Sequence, residues 1–336
     1  MAGKNDRNIW ESFIGNIDLV IQQIEECEGR SETPPGFEFE AFWSDLGKVF
    51  KAVSHEATKL SLAYSKSPRP SNVECESLLA GVEKTLIGLV HIHSKLPKTA
   101  GLTLRKQIKQ AVQQLVKEMK TLAQTIHTMD TGSPEQLQQT GMVWDGSDKF
   151  YLLPQDNKAA VSRVLDQHVP MVDDAHSELT EALNCEEDDD GLDEFLGLEN
   201  SSSQNDQHWS ENDKTVIQYC LGLIKCSKSL LKKARSAVSA NGDCRTEMGV
   251  VQLDDLAELV ERLSPTVDEL ASCVYPPLRC SVVAQKAADV VKANKEAILF
   301  LKQSQLTGED DQKWVEFLRR ANTHNFNKLN AALTGT

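Results

Sequence analysis

At 336 residues the chain is about twice a usual domain length, and 40% hydrophobic with 6% aromatic residues predicts two domains with real cores rather than an all-β construction. No stretch supplies the roughly 18 consecutive apolar residues of a membrane span, and Met1 to Arg7 leads straight into an amphipathic pattern, so no membrane partner and a cytosolic or nuclear address are expected. Eleven acidic residues and no Lys or Arg stand between Cys185 and Asp213, accounting for most of the net charge of −14; so acidic a chain is a poor direct reader of nucleic acid.

Elsewhere apolar residues recur at helical intervals. The first helix carries Trp10, Phe13, Ile17, Ile21 and Ile24, and a loop with Thr33-Pro34-Pro35-Gly36 follows. The second places Phe42, Leu46, Val49, Phe50, Val53, Ala57 and Leu60 on one face and stops at Ser67-Pro68-Arg69-Pro70. Ser71 with Glu74 in the capping-box position starts the third. Leu96 to Gly101 turns the chain into a fourth, on which Arg105, Lys106 and Lys109 read as an ordinary solvated face. Ser133-Pro134 starts a short fifth helix, and Asp156 opens a sixth that Pro170 is expected to kink or split.

The acidic strip then reads as a disordered linker over 185–209, because like charges repel and little can be buried. Ser210 to Asp213 restarts order as a capping signature. Four helices follow, over about 211–240, 249–275, 277–304 and 309–333. The expected architecture is all-α: an N-terminal bundle over 1–184, the linker, and a C-terminal bundle over 210–336. Six plus four helices becomes five plus five if the first helix packs with the C-terminal set, and periodicity leaves both open.

Little points to chemistry. Eight cysteines stand without a C-x-x-C pair, which predicts free thiols rather than a zinc site or disulfide framework. His168, Asp173, Asp174 and His176 are close in sequence but lack any ligand spacing, and read as a solvated helix face. No phosphate loop, dinucleotide fingerprint or nucleophile elbow is present, so neither enzyme activity, a cofactor nor a metal is expected.

Two patterns bear on binding. In the eighth helix Leu253, Val260, Val267 and Val274 fall seven apart, with Leu256, Leu263 and Leu270 between them. That spacing suits a coiled-coil seam, but its flanks are uncharged and Ser264-Pro265 is expected to interrupt the helix, so a bundle core is preferred to an intermolecular zipper. Leu183-Asn184-Cys185-Glu186-Glu187 matches L-x-C-x-E, a short extended motif that docks retinoblastoma-type pocket proteins. Leu183, Cys185 and Glu187 are therefore candidate partner-binding residues, and Phe195 and Leu196 are the candidate apolar anchors of the acidic strip.

Taken together, Ala41 to Thr58, Gly101 to Lys106, Asp156 to Ala160, Gln252 to Asp255, Ser264 to Leu270 and Tyr275-Pro276-Pro277 resemble one family in this order. It is the cyclin-D-binding protein family, also called cyclin-D-interacting protein or Maid. The resemblance covers the chain from about residue 40. It implies a nuclear and cytoplasmic regulator that binds D-type cyclins, restrains cell-cycle entry and lowers retinoblastoma-protein phosphorylation and transcription from its target promoters. It further implies sequestration of helix-loop-helix transcription regulators without a basic DNA-binding region, and a fold like the bundles of vinculin and α-catenin. A cytoskeletal or junctional bundle adaptor is the alternative.

Overall fold

The computed structural model describes residues 2–27, 36–196 and 209–334, with the side chains of 2–7 and 185–196 outside that description. Ten α-helices and no strand occur among the described residues. They are α1 (Ala2–Glu26), α2 (Phe39–Ala63), α3 (Asn72–His93), α4 (Leu102–Thr128), α5 (Pro134–Asp148), α6 (Asn157–Leu196), α7 (Glu211–Asn241), α8 (Glu247–Cys273), α9 (Cys280–Gln303) and α10 (Gln312–Thr334). None of the described helices is long and apolar enough to cross a membrane.

The helix starts follow local chemistry. At α3 the Ser71 hydroxyl accepts from the Glu74 N–H, while the Glu74 carboxylate accepts from the Ser71 N–H at 2.8 Å. Ser210 and Asp213 make the same reciprocal pair at α7. Each pair satisfies N–H groups that a helix end otherwise leaves without partners. Ser133 caps α5 with Pro134 in its first turn, where the missing proline N–H costs nothing.

The contacts divide the chain into two units, 1–157 and 158–336. In the first, α1 packs on α3 and α4, α2 on α3 and α5, and α4 on α5, closing a ring of five helices. In the second, α10 packs on α7 and α9, and α8 on α9. Val161, Val164, Leu165, Val172 and Leu179 of α6 complete that core with residues of α7 and α8. Asp166 of α6 pairs with Arg235 of α7 at 2.6 Å.

The division by contacts falls earlier than the expected boundary at 184/185. Among the described residues five helices fall in each unit, with α6 in the C-terminal set and α1 in the first. Charge composition marked the place where acidity begins, whereas packing changes one helix earlier. The expected linker also differs at both ends. The backbone is helical to Leu196, and Trp209, 6% exposed, donates its indole N–H to the Val274 carbonyl at 2.8 Å and packs on Tyr275. Residues 197–208, within the expected disordered strip, lie outside the described residues.

The interruption expected at Pro265 is not seen, and of the kink or split expected at Pro170 the split is not seen. Pro170 lies inside α6 without splitting it, and Pro265 lies inside α8 without ending it. A proline removes one ladder bond and crowds the preceding turn, which a helix can tolerate when its faces are held. Around Pro265, Leu263 and Val267 are both fully buried, and the Thr266 hydroxyl bonds the Leu263 carbonyl at 2.7 Å.

Candidate interaction surface

The seam of α8 is not available to a partner. Leu253, Val260, Val267 and Val274, with Leu256, Leu263 and Leu270, are all buried in the second core. The preferred bundle-core reading holds. Of the five residues singled out for binding, Leu183 is half-buried against that same core on a helical backbone. The side chains of Cys185, Glu187, Phe195 and Leu196 lie outside the described residues.

The histidine–carboxylate group of α6 forms no metal cluster among the described residues. Asp173 instead bonds Lys228 and Lys232 of α7, and those contacts hold its carboxyl below the usual carboxylate range. Lys233 sits 6.0 Å over the Trp314 ring. With Asp166 on Arg235, much of the positive charge on this part of α7 meets a carboxylate or ring.

A different surface stands out, at the N-terminal end of α2. Phe37 and Phe39 meet edge to face at 5.1 Å, Phe37 lies 6.0 Å from Phe42, and Phe42 lies 5.5 Å from Trp43. Trp43 continues to Phe150 at 6.1 Å, and Phe150 touches both Phe50 and Tyr151. The run leads from the core, where Phe42 and Phe50 are buried, to solvent, where Phe39, Tyr151 and Leu152 are 43%, 66% and 68% exposed.

Its parts are held in place. Lys149–Leu152 form a short 3-10 turn directly after α5, and the Trp43 indole N–H donates to the Gln155 carbonyl at 3.1 Å. Gly47 explains how Phe150 reaches α2: a Cβ there would stand 2.8 Å from the Phe150 ring. Lys51 lies 5.5 Å from the Tyr151 ring centre, and hydrogen bonding to Tyr151 raises its ammonium above the ordinary lysine range. Glu38, Glu40, Asp148 and Lys149 supply an exposed polar surround.

Rigid aromatic anchors inside a charged rim are the side chains that dominate binding energy at protein interfaces, since they add contact area with few rotatable bonds. The sequence did hold a signal for this surface. Phe37-Glu38-Phe39 at the start of α2 and Phe150-Tyr151-Leu152-Leu153 after α5 concentrate large apolar residues at helix ends, where the chain is usually polar.

Arg105, Lys106 and Lys109, with Lys98 of the preceding 3-10 turn, line a cleft beside His93, Leu96 and Cys27. Burial, and then the positive charges of Lys109 and Arg105, hold the His93 imidazole down to about 4.

Comparison with known proteins agrees with this picture of a binding scaffold. Residues 45–185 match the N-terminal part, and 186–299 the C-terminal part, of the family described as Grap2 and cyclin-D-interacting. The cyclin-D1-binding protein 1 homolog of Danio rerio is 36% identical over 332 residues, covering 97% of this chain and 95% of that protein. The Xenopus laevis homolog is 35% identical, covering 93% and 95%. Cyclin-D1-binding protein 1 of Homo sapiens is 33% identical, covering 93% and 90%. With both halves matched and relatives aligned along nearly the whole length, the chain belongs to the Grap2 and cyclin-D-interacting family.

Proposed function

We propose that the protein is a non-enzymatic interaction regulator that binds D-type cyclins through the aromatic surface of its first bundle, and so restrains cell-cycle progression. Support for the partner comes from relatives named for binding cyclin D1 and aligned over nearly the whole chain. Support for the surface comes from one observation, the run of touching rings that ends in exposed Phe39, Tyr151 and Leu152. Under the same reading it acts in both nucleus and cytoplasm and engages helix-loop-helix transcription regulators through helical surface rather than DNA. Docking of a retinoblastoma-type pocket protein on Leu183, Cys185 and Glu187 as an extended segment is no part of this reading. It would require the end of α6 to unwind and Leu183 to leave the second core.

The test is binding of purified cyclin D1 by the full chain and by Tyr151→Ser/Leu152→Ser. Both side chains are exposed, so circular dichroism and melting temperature should stay unchanged while affinity falls about tenfold or more. Deleting residues 186–206 should leave binding at physiological salt nearly intact. Unchanged affinity in the double variant, with loss on deletion, would move recognition to the acidic strip. Failure of the wild-type chain to bind any D-type cyclin, with co-sedimentation on actin, would favour the cytoskeletal adaptor.

A further inference from the structure

We propose that the outer groove between α1 and α3 binds a basic amphipathic helix presented by a partner protein. The two helices run side by side in the same direction. Asn8, Ser12 and Asn16 share one cleft with Glu76, Ala80 and Glu83, and further along Gln23 and Glu26 share a second with Ile87 and His91. The clefts enclose about 370 and 440 Å³.

Each helix carries a second stripe besides the one it buries. Trp10, Ile17 and Ile24 of α1 and Val82, Leu86 and Leu89 of α3 go into the core. Outside it, α1 presents Ser12, Asn16, Leu19, Gln23 and Glu26. On its side α3 presents Val73, Glu76, Ala80, Glu83 and Ile87. The spacing alternates between three and four in both, the interval at which one helix seats its side chains between those of another. Val73, Leu19 and Ile87 are 76%, 63% and 60% exposed. Leu19 and Ile87 each stand about one turn beyond the Asn16–Glu83 hydrogen bond, so they flank the groove at one level. Gly15 keeps the α1 bank open, since a Cβ there would meet nothing within 4 Å.

Charge selects the kind of helix. Glu26, Glu76 and Glu83 line the clefts, and no Lys or Arg does. Glu83 accepts from the Asn16 amide at 2.8 Å and Glu26 from the Gln22 amide at 2.8 Å, neutral partners that leave both carboxylate charges in place. Asp18, by contrast, is paired with Lys120 of α4. Lys84 follows Glu83 in sequence but stands about 100° round the helix and lines neither cleft. An acidic helix would meet like charge here, and an uncharged one would use only the apolar contacts. A helix whose apolar stripe is flanked by lysines or arginines uses both. The α1 bank from Asn8 to Glu26 spans about 27 Å, room for about five helical turns. Other helices build the aromatic surface proposed for cyclins, so the two readings stand or fall separately.

Fluorescence anisotropy tests this on the full chain with a labelled helical peptide of about three heptads, Leu along one stripe and Lys elsewhere. A peptide with Glu in place of Lys is the control. The Lys peptide is expected to bind at least about tenfold more tightly than the Glu peptide, and to weaken as salt rises. Leu19→Ser/Ile87→Ser should lower its affinity about tenfold or more with circular dichroism and melting temperature unchanged, since both side chains are exposed. Glu26→Gln/Glu76→Gln should lower it about threefold or more at low salt and less at physiological salt, and serves alone if the first variant melts early. Phe317→Ser, an exposed site in the second unit, should change it by less than about twofold.

The acidic strip is the competing site for a basic peptide, so each titration is repeated on the chain without residues 186–206, where one-to-one binding and the same ranking of variants are expected. Four results would overturn the site: no binding of the Lys peptide, equal binding of both peptides, equal losses in Leu19→Ser/Ile87→Ser and Phe317→Ser, or binding that vanishes with residues 186–206. So would a concentration-dependent dimer by sedimentation that Leu19→Ser/Ile87→Ser disperses, because a second copy of the chain would then fill the groove.

Discussion

Single residues in this protein settle junctions that no periodic pattern describes. Gly101 holds φ at +101°, and a Cβ there would meet the Asn157 side chain at 2.2 Å. Asn157, just before α6 leaves for the second unit, uses its Oδ1 to accept the Leu104 N–H at 3.0 Å, capping α4 from far along the chain. The glycine was visible in sequence as a turn, but a cap supplied by a residue so distant has no local signature. His93 was likewise unremarkable in sequence, one of two histidines near the end of α3, until burial and the neighbouring cations set its chemistry. Its folded value near 4 lies below the ordinary 6.5, so the unfolded chain binds the proton more readily between those values. The corresponding stability is present above about pH 6.5 and is lost as pH falls toward 4, by roughly 3 kcal/mol in all. Glu118 acts in the opposite sense, since burial raises its carboxyl and its contribution fades as pH rises. Comparing urea unfolding of wild type and His93→Leu at pH 7 and pH 4 isolates the histidine. The wild type should lose more stability than the variant between the two pH values; equal losses would show that His93 does not control this dependence.

At the scale of the element, what was legible depended on how local the signal is. Ser71 with Glu74, Ser133 with Pro134, and Ser210 with Asp213 fixed three helix starts, because a cap is made within one turn of its own sequence. The apolar stripes gave the buried faces correctly, α8 above all. Polar residues inside the cores were not anticipated, since nothing in a lone Asn or Ser says which partner it will find. In the second unit Ser227 donates to Asn294 at 2.9 Å, Asn294 to Asn322 at 3.1 Å, and Asn322 to the Val291 carbonyl at 3.2 Å, tying α7, α9 and α10 into one register. Gln136 and Thr140 of α5 grip Ser61 of α2 in the first unit. Such chains disfavour sliding of one helix on another, because a slip would leave buried polar groups unpaired. Within this frame Leu263→Ala should cost about 2–5 kcal/mol, the range for emptying a buried leucine site. Thermal denaturation checks the cost, and cyclin D1 affinity, measured where the variant is folded, should match wild type. A variant of normal stability that no longer binds would restore the zipper reading of α8.

For the whole molecule the central question is where one folding unit ends. The family segments meet at 185/186, which is also where acidity begins, yet the packing divides at 157/158. Periodicity identified the apolar face of α6 but could not say which core that face covers; only the assembled contacts assign it. The consequence is quantitative. Val161, Val164, Leu165, Val169, Val172 and Leu179 are buried in the second core. Each such side chain contributes roughly 1.5–3 kcal/mol when fully buried, so together they rival the 5–15 kcal/mol that stabilises a typical domain. A fragment beginning at residue 186 lacks all six and exposes the α7 and α8 faces they cover, whereas a fragment of residues 158–336 keeps the complete set. The longer fragment should therefore unfold cooperatively and stay monomeric by sedimentation. The shorter one should show a shallow or absent thermal transition, bind a hydrophobic dye and aggregate. By the same logic residues 1–157 should be as stable as residues 1–184, since the added helix has no core of its own to cover there. If the fragment starting at 186 instead melted as sharply and as high as the longer one, α6 would be an accessory of the second bundle, and the acidic boundary would be the true one.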